Sequence, residues 1–255
     1  MITADLRGKR ALVTGGASGV GLATVEMLAR AGARVALNHR PDNQAAGVEI
    51  ARLGGEGLAV IDAPGDVADP VAGERMVAAA IDALGGLDIL VNNAATPGAP
   101  AKGKRFHPRE LDVITEDWWQ EVMATNLIAP FRCVRAGAVA LRAANGAVVN
   151  VASIGGLAPV GSNLVYGASK AALIRLTAYL ARSLAPEVRV NAVAPGFIDT
   201  PWTKEWPEEM KRAAIARTPL KRACLPADVA EAIFFFAAGA AMVTGQTLVV
   251  DGGLL

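Results

Sequence analysis

The sequence is short of several things at once, and each shortage removes a class of function. Only two of its 255 residues are cysteine, Cys133 and Cys224, far apart and outside any Cys-x-x-Cys motif. That excludes a disulfide framework and a cysteine-built metal site, and reads as two reduced, structural thiols in a cytoplasmic protein. Charge of one sign is also missing: 25 Lys+Arg face 24 Asp+Glu, a formal charge of +1. Without a basic surplus there is no electrostatic case for nucleic acid or an anionic membrane as partner. No long apolar run exists. The best stretch, Ala232–Val243, is broken by Gly239 and falls short of the ~18 residues of a spanning helix. Arg7, Lys9 and Arg10 precede a glycine-rich run that soon meets Glu26, so no leader peptide is expected. Pro/Ser-rich linkers, charge blocks, repeats and low-complexity tracts are absent, and residues 1–255 read as one domain.

What remains is 53% apolar and 19% charged, ample for a core. Short β-branched runs alternate with helical stretches across Gly- or Asn-bearing turns. The runs are Arg10–Val13, Arg34–Leu37, Leu58–Ile61, Ile89–Val91, Ala147–Val151, Arg189–Val193 and Thr247–Val250. Helical pattern fills Leu22–Ala31, Asn43–Leu53, Val71–Leu84, Glu116–Arg142, Tyr166–Leu184 and Ala227–Ala238. Uniformly apolar strands predict burial on both faces. The alternation predicts an α/β fold: a doubly wound, mostly parallel seven-stranded sheet with helices on both faces.

Gly15-Gly16-Ala17-Ser18-Gly19-Val20-Gly21 lies between the first strand and the first helix. Glycines there allow a sharp turn and close approach of a pyrophosphate, toward which the helix N-terminus points. The spacing is Gly-x-x-x-Gly-x-Gly. The second strand ends in Asn38-His39-Arg40, with no acid to accept from an adenosine ribose. Arg40 is instead suited to a 2′-phosphate. Asp66 is placed either to accept from an adenine amino group or to cap a helix.

Tyr166 and Lys170 are four apart and share one helix face. A phenol of ordinary pKa near 10 is a poor proton donor at neutral pH, and a neighbouring ammonium is expected to lower it. Ser153, thirteen positions earlier, follows the end of a strand and can hold a substrate oxygen against Tyr166. Gly15–Gly21, Arg40, Asp66, Asn92-Asn93, Ser153 and Pro195-Gly196 all fall just after apolar strands. In a parallel sheet these ends form one rim, where ligands bind.

Thr14–Gly21, Asn92-Asn93-Ala94, Asn126, Ser153, Tyr166-x-x-x-Lys170, Pro195-Gly196 and the closing Gly245–Gly253, in this order, resemble the short-chain dehydrogenase/reductase family. The likeness runs through essentially the whole chain and is nearest to 3-oxoacyl-(acyl-carrier-protein) reductase-like members. It implies a Rossmann fold and NADP(H) as cofactor, with NAD(H) as the alternative. By the resemblance Gly15, Ser18, Gly19, Val20 and Gly21 contact pyrophosphate and ribose, and Asn38, His39 and Arg40 the adenosine 2′ position. Asp66 and Val67 contact adenine. Asn92 and Ala94 line the adenosine side, and Pro195, Gly196, Ile198 and Thr200 the nicotinamide. Asn126 holds a relay water, Ser153 the substrate, Tyr166 gives the proton, and Lys170 binds ribose and tunes Tyr166. No metal is implied. The partner is a small carbonyl or alcohol, and the assembly a homotetramer built through Glu116–Arg142 and Tyr166–Leu184. Readings left open are an NAD-dependent secondary-alcohol dehydrogenase and a non-catalytic dinucleotide-binding regulator.

Two features depart from the family pattern. Ala95 replaces a glycine, and the glycine loop carries no basic residue. Lys102, Lys104, Arg105, His107 and Arg109 form either a solvated loop or a basic lip for an acidic carrier. Pro201–Pro219, with Trp202, Trp206 and Met210, reads as a substrate lid whose tryptophans face a substrate or pack the lid onto the body. Trp118 and Trp119 are expected in a core or subunit interface.

Overall fold

The β-branched runs settle into seven strands in the computed structural model, which describes residues 4–98, 111–161, 163–204 and 206–255. They are β1 (Arg10–Val13), β2 (Arg34–His39), β3 (Val60–Pro64), β4 (Ile89–Asn92), β5 (Ala147–Val151), β6 (Arg189–Pro195) and β7 (Thr247–Val250). The order is β3-β2-β1-β4-β5-β6-β7 and every pairing is parallel. The chain winds outward from β1 to β3, then crosses back to start β4 beside β1. Loops leaving β1 and β4 therefore diverge, and a crevice opens between them at the carboxyl ends.

Side-chain alternation divides the core into two layers. Val13, Val35, Leu37, Val91 and Val149 face α1 (Gly19–Arg30) and α8 (Pro226–Ala238). Leu12, Ala36, Leu90, Val148 and Val190 face α3 (Pro70–Leu84), α5 (Ala129–Ala143) and α6 (Leu164–Leu184). The edge strands are the exceptions: β3 exposes Asp62 and Pro64, and β7 exposes Leu248 and Val249. The remaining helices are α2 (Ala45–Gly55), α4 (Glu116–Met123) and α7 (Glu208–Arg217).

Three local outcomes differ from the pattern in the sequence. The expected helix over 116–142 is broken by a π turn at Ala124–Ile128. Pro130 follows at the second position of α5 and has no N–H, so the Asn126 carbonyl four residues back has no α-helical donor. The cap of α3 is Asp69, which accepts from Val71 N (2.9 Å) and Ala72 N (2.7 Å). Asp66 makes a tighter turn of its own, accepting from Ala68 N at 2.8 Å. Helix α7 lies inside the segment expected as a lid and buries none of its residues.

A buried polar chain fixes how α6 lies on the sheet. Asn92 Nδ2 donates to Asn150 Oδ1 (2.8 Å), Asn150 Nδ2 to Thr177 Oγ1 (2.9 Å), and Thr177 Oγ1 to the Leu173 carbonyl (2.8 Å). It ties β4 to β5 and β5 to the helix carrying Tyr166 and Lys170. Thr177→Val keeps the volume and strands the Asn150 amide without an acceptor. We expect a stability loss of about 1–3 kcal/mol, read as a lower urea midpoint at unchanged slope; an unaltered midpoint would dismiss the chain as a determinant.

Candidate active site

The glycine turn after β1 owes its shape to its neighbours. Gly15 and Gly19 have φ of +61° and +53°, where a side chain is strained. A Cβ on Gly21 would lie 2.1 Å from the Gly15 carbonyl oxygen. Asn93 Nδ2 donates to the Thr14 and Gly15 carbonyls (2.9 and 3.0 Å), while Thr14 Oγ1 accepts from Asn93 N and Ala94 N (2.9 and 3.0 Å). These bonds staple the loops after β1 and β4 together across the crevice. Helix α1 begins at Gly19 with Ser18 as N-cap, making no side-chain capping bond, and with no acid in its first turn. Its orphan amides and positive dipole end are thus ready for an anion beside Val20. Thr200 stands 3.5 Å from where a Gly19 Cβ would be, which brings the loop after β6 to the same place.

At the adenosine side, the expected residues divide. Asn38 is buried and spends its amide internally: Nδ2 donates to Ala63 O (2.9 Å) and Gly65 O (3.0 Å), and Oδ1 accepts from Gly15 N (3.3 Å). It braces the loops rather than presenting a free group to the rim. Asn92 is likewise buried and turned to Asn150, so Ala94 alone of that pair stands on the rim loop. Val67 is buried, and its carbonyl accepts from Arg132 Nη1 at 2.7 Å. Arg132, on α5, thereby holds the Asp66–Val67 turn. The sequence reading missed it; its signal was an arginine on the apolar face of a helix. His39 is nearly enclosed, with Nδ1 2.8 Å from the Arg40 carbonyl and Nε2 2.7 Å from Asp62 Oδ1. Arg40 is exposed and paired with Asp42.

The reacting groups meet where β5 ends and α6 begins. Asn163 caps α6 by accepting from Tyr166 N (2.8 Å), which puts Tyr166 in the first turn. Lys170, one turn on, is 1% exposed; its Nζ donates to the Val151 carbonyl at 2.7 Å and lies 5.5 Å from the Tyr166 ring centroid. Ser153 Oγ accepts from Gly155 N (3.1 Å), and its hydroxyl stands near enough to the Tyr166 phenol to lower its pKa. Asn126 sits in the π turn, with Oδ1 accepting from Thr96 N (2.8 Å) and Nδ2 donating to Thr96 O (2.9 Å) and Ser169 Oγ (3.1 Å). Its side chain is structural, and its main-chain carbonyl is the group that Pro130 releases.

Burial governs the titrations here. It pushes the Tyr166 phenol up to about 12, against a lowering pull from the Ser153 hydroxyl, and the Lys170 amine down to about 7. In the free protein the largest influence on the Tyr166 phenol is desolvation, which acts opposite to the lowering expected from Lys170.

After β6, Gly196 leaves room for Asp251, which a Cβ would approach to 2.8 Å, and Gly196 N donates to Val250 O at 2.9 Å. Pro195 closes β6 and Ile198 bridges to Cys224. Trp202 meets the Tyr166 ring edge-on at 5.7 Å, whereas Trp206 stacks on Phe197 at 5.7 Å. One tryptophan thus faces the site and the other packs the segment onto the body. Trp118 is in the core, donating Nε1 to Pro97 O at 2.8 Å. Both cysteines are buried and free. Among the described residues no cluster suits a metal, and no helix is long and apolar enough to cross a membrane. The basic group from Lys102 to Arg109 lies outside the described residues.

Known proteins agree with this arrangement. Residues 15–255 match the family model described as enoyl-(acyl carrier protein) reductase. The chain is 37% identical to the 3-oxoacyl-(acyl-carrier-protein) reductase FabG of Vibrio cholerae, covering 98% of each. It is 33% identical to the 2,5-dichloro-2,5-cyclohexadiene-1,4-diol dehydrogenase LinX of Sphingobium indicum, covering 97% of this chain and 96% of that one. A short chain dehydrogenase of Burkholderia cenocepacia, solved in complex with NADP, superposes with a TM-score of 0.87 at 34% identity, covering 98% and 99%. The chain belongs to the short-chain dehydrogenase/reductase family.

The sequence holds only two tyrosines, Tyr166 and Tyr179, so phenolate absorbance can be assigned by difference. With Tyr166 raised to about 12, the wild-type minus Tyr166→Phe difference at the phenolate band should stay flat up to pH 10 in the free protein. A midpoint below 9 would mean that the ammonium, not burial, sets the phenol.

Proposed function

We propose that this chain is an NADP(H)-dependent oxidoreductase that interconverts a ketone and a secondary alcohol, with Tyr166 as proton donor in reduction. The observation that carries the reading is the meeting of Ser153, Tyr166 and Lys170 where β5 ends and α6 begins, with the Lys170 amine 5.5 Å from the Tyr166 ring centroid and the Ser153 hydroxyl near enough to lower the phenol. The uncapped amides after Ser18 suit a pyrophosphate, and the residues to hold the dinucleotide are Gly15, Ser18, Gly19, Val20, His39, Arg40, Asp66, Val67, Ala94, Pro195, Gly196, Ile198 and Thr200. When bound, the dinucleotide supplies the hydride.

The protein's own part is positioning and a proton. Ser153 and Tyr166 hold the carbonyl oxygen, and both hydroxyls stabilise the charge that develops there. Tyr166 yields its proton to that oxygen. Lys170, with its pKa near 7, is matched to neutral pH and can hand a proton to the phenolate and regain one. The Asn126 carbonyl, which Pro130 cannot bond, is the group we assign to a route for that proton to solvent. Reduction needs the phenol protonated, so it persists at low and neutral pH and is lost as pH rises through the tyrosine's pKa. Oxidation of an alcohol has the opposite dependence. The segment 201–219 acts as the substrate lid in this reading, with Trp202 against Tyr166.

Tyr166→Phe should lower kcat by about 10²–10⁴-fold while the Kd for the dinucleotide stays within about twofold. Near-normal turnover of every carbonyl tested would end the mechanism.

The assembly we propose is a homotetramer using the α5–α6 face. Support comes from an outer groove of about 410 Å³ lined by Leu127, Ile128, Phe131, Leu176 and Tyr179. Ile128, Phe131 and Tyr179 are all exposed in the single chain, an apolar surface suited to a second copy. Light scattering should give about four times 26.2 kDa for the wild type, and a smaller assembly for Phe131→Glu/Tyr179→Glu. A monomeric wild type would refute this assembly.

A further inference from the structure

Resting on the NADP(H) reading above, we propose that Asp42 is a specificity-determining residue that competes with the cofactor's 2′-phosphate for Arg40. The chain then uses both phosphorylated and unphosphorylated dinucleotides with only a modest preference between them.

The geometry is that of a guanidinium already occupied. Arg40 Nε donates to Asp42 Oδ1 at 3.1 Å and Nη2 to Asp42 Oδ2 at 2.6 Å, a two-pronged contact. A phosphate would approach a guanidinium by the same kind of paired N–H bonds. The loop carrying the pair is itself fixed. The Arg40 carbonyl accepts from Asn43 N at 2.9 Å and faces His39 Nδ1 at 2.8 Å, while Asn43 Oδ1 accepts from Ala45 N at 3.2 Å. Asp42 is therefore built two residues from Arg40 into a closed turn and holds the Nε–Nη2 edge, so a 2′-phosphate must displace it to take that edge or share the guanidinium through Nη1. The displaced carboxylate stays nearby and repels the newcomer. Other acids add to that field: the charges of Asp66 and Glu121 reach Arg40. A ribose with a free 2′-hydroxyl has neither a pair to break nor a charge to be repelled.

Magnitudes bound the effect. The pair is well exposed, with side chains 60% and 67% accessible. Such pairs shift equilibria by up to about fivefold. Asp42 should therefore temper phosphate preference and not abolish it.

The test is equilibrium calorimetry with adenosine 2′,5′-bisphosphate and 5′-AMP, which carry no nicotinamide, alongside NADPH and NADH. Wild type, Asp42→Asn, Arg40→Ala and the double variant would be compared. We expect Asp42→Asn to tighten the bisphosphate and NADPH about 3- to 5-fold, with 5′-AMP and NADH within twofold. The gain should vanish in the double variant, since Asp42 acts through Arg40. Equal changes for both classes of ligand, or none, in Asp42→Asn would overturn the proposal. If Arg40→Ala alone weakens the bisphosphate, the NADP(H) reading survives that failure. If Arg40→Ala leaves the bisphosphate untouched, Arg40 is not the phosphate's partner and the inference falls together with its foundation.

Discussion

Lys170 lies under α6 with almost no surface in water, and its amine reaches the carbonyl of Val151, the last residue of β5. It can do so because the strand stops there, freeing the carbonyl from the ladder it would otherwise feed. Fold and chemistry meet in that bond. The low dielectric that brings the amine down to about 7 also takes the phenol one turn away up to about 12. A lysine left in solvent would be a fixed charge, and a tyrosine left in solvent an ordinary phenol. The amine is withdrawn from water, while desolvation holds the phenol beside it above its ordinary range. The Asn150–Thr177 bond, farther along the same helix, keeps α6 in the register that allows this.

What could be read from the chain beforehand follows from how local its causes are. Strands β1 and β5 were legible to the residue, because apolar runs bounded by glycine or serine leave little choice. The Tyr166–Lys170 pairing was legible because helical spacing alone puts residues four apart on one face. The break before α5 was not, since the apolar rhythm of 116–142 continues through it and only Pro130 marks the lost hydrogen bond. Helix α7 escaped for the converse reason: burying nothing, it has no apolar stripe to announce it. Its remaining signal is charge, with Glu208 and Glu209 in the first turn and Arg217 in the last.

The candidate site shows the same division more sharply. Sequence position put Asn38 and Asn92 at strand ends on the rim, and both are there. Position does not say which way an amide points, and both turn inward to brace loops or strands. Arg132 does equivalent bracing with no motif to single it out, and Asn93 lies in a motif that marks its place without revealing its bracing task. The titrations were the least legible part, because burial is a property of the assembled fold and not of any four-residue spacing. Among the described residues Asn92 Oδ1 is the one buried side-chain polar atom without a partner, which shows how nearly this interior satisfies the polar groups it encloses.

Helix α7 has one more consequence. Its residues contribute nothing to the two layers of core, and the segment before it is tied down by a handful of ring contacts, Trp202 on Tyr166 and Trp206 on Phe197 among them. Elements with so few buried contacts belong to the low-stability end of a fold. In evolutionary terms the helix is a tolerant one: substitutions along it leave the packing of the sheet untouched. A lineage can therefore drift through ten residues of surface helix with little risk to the core.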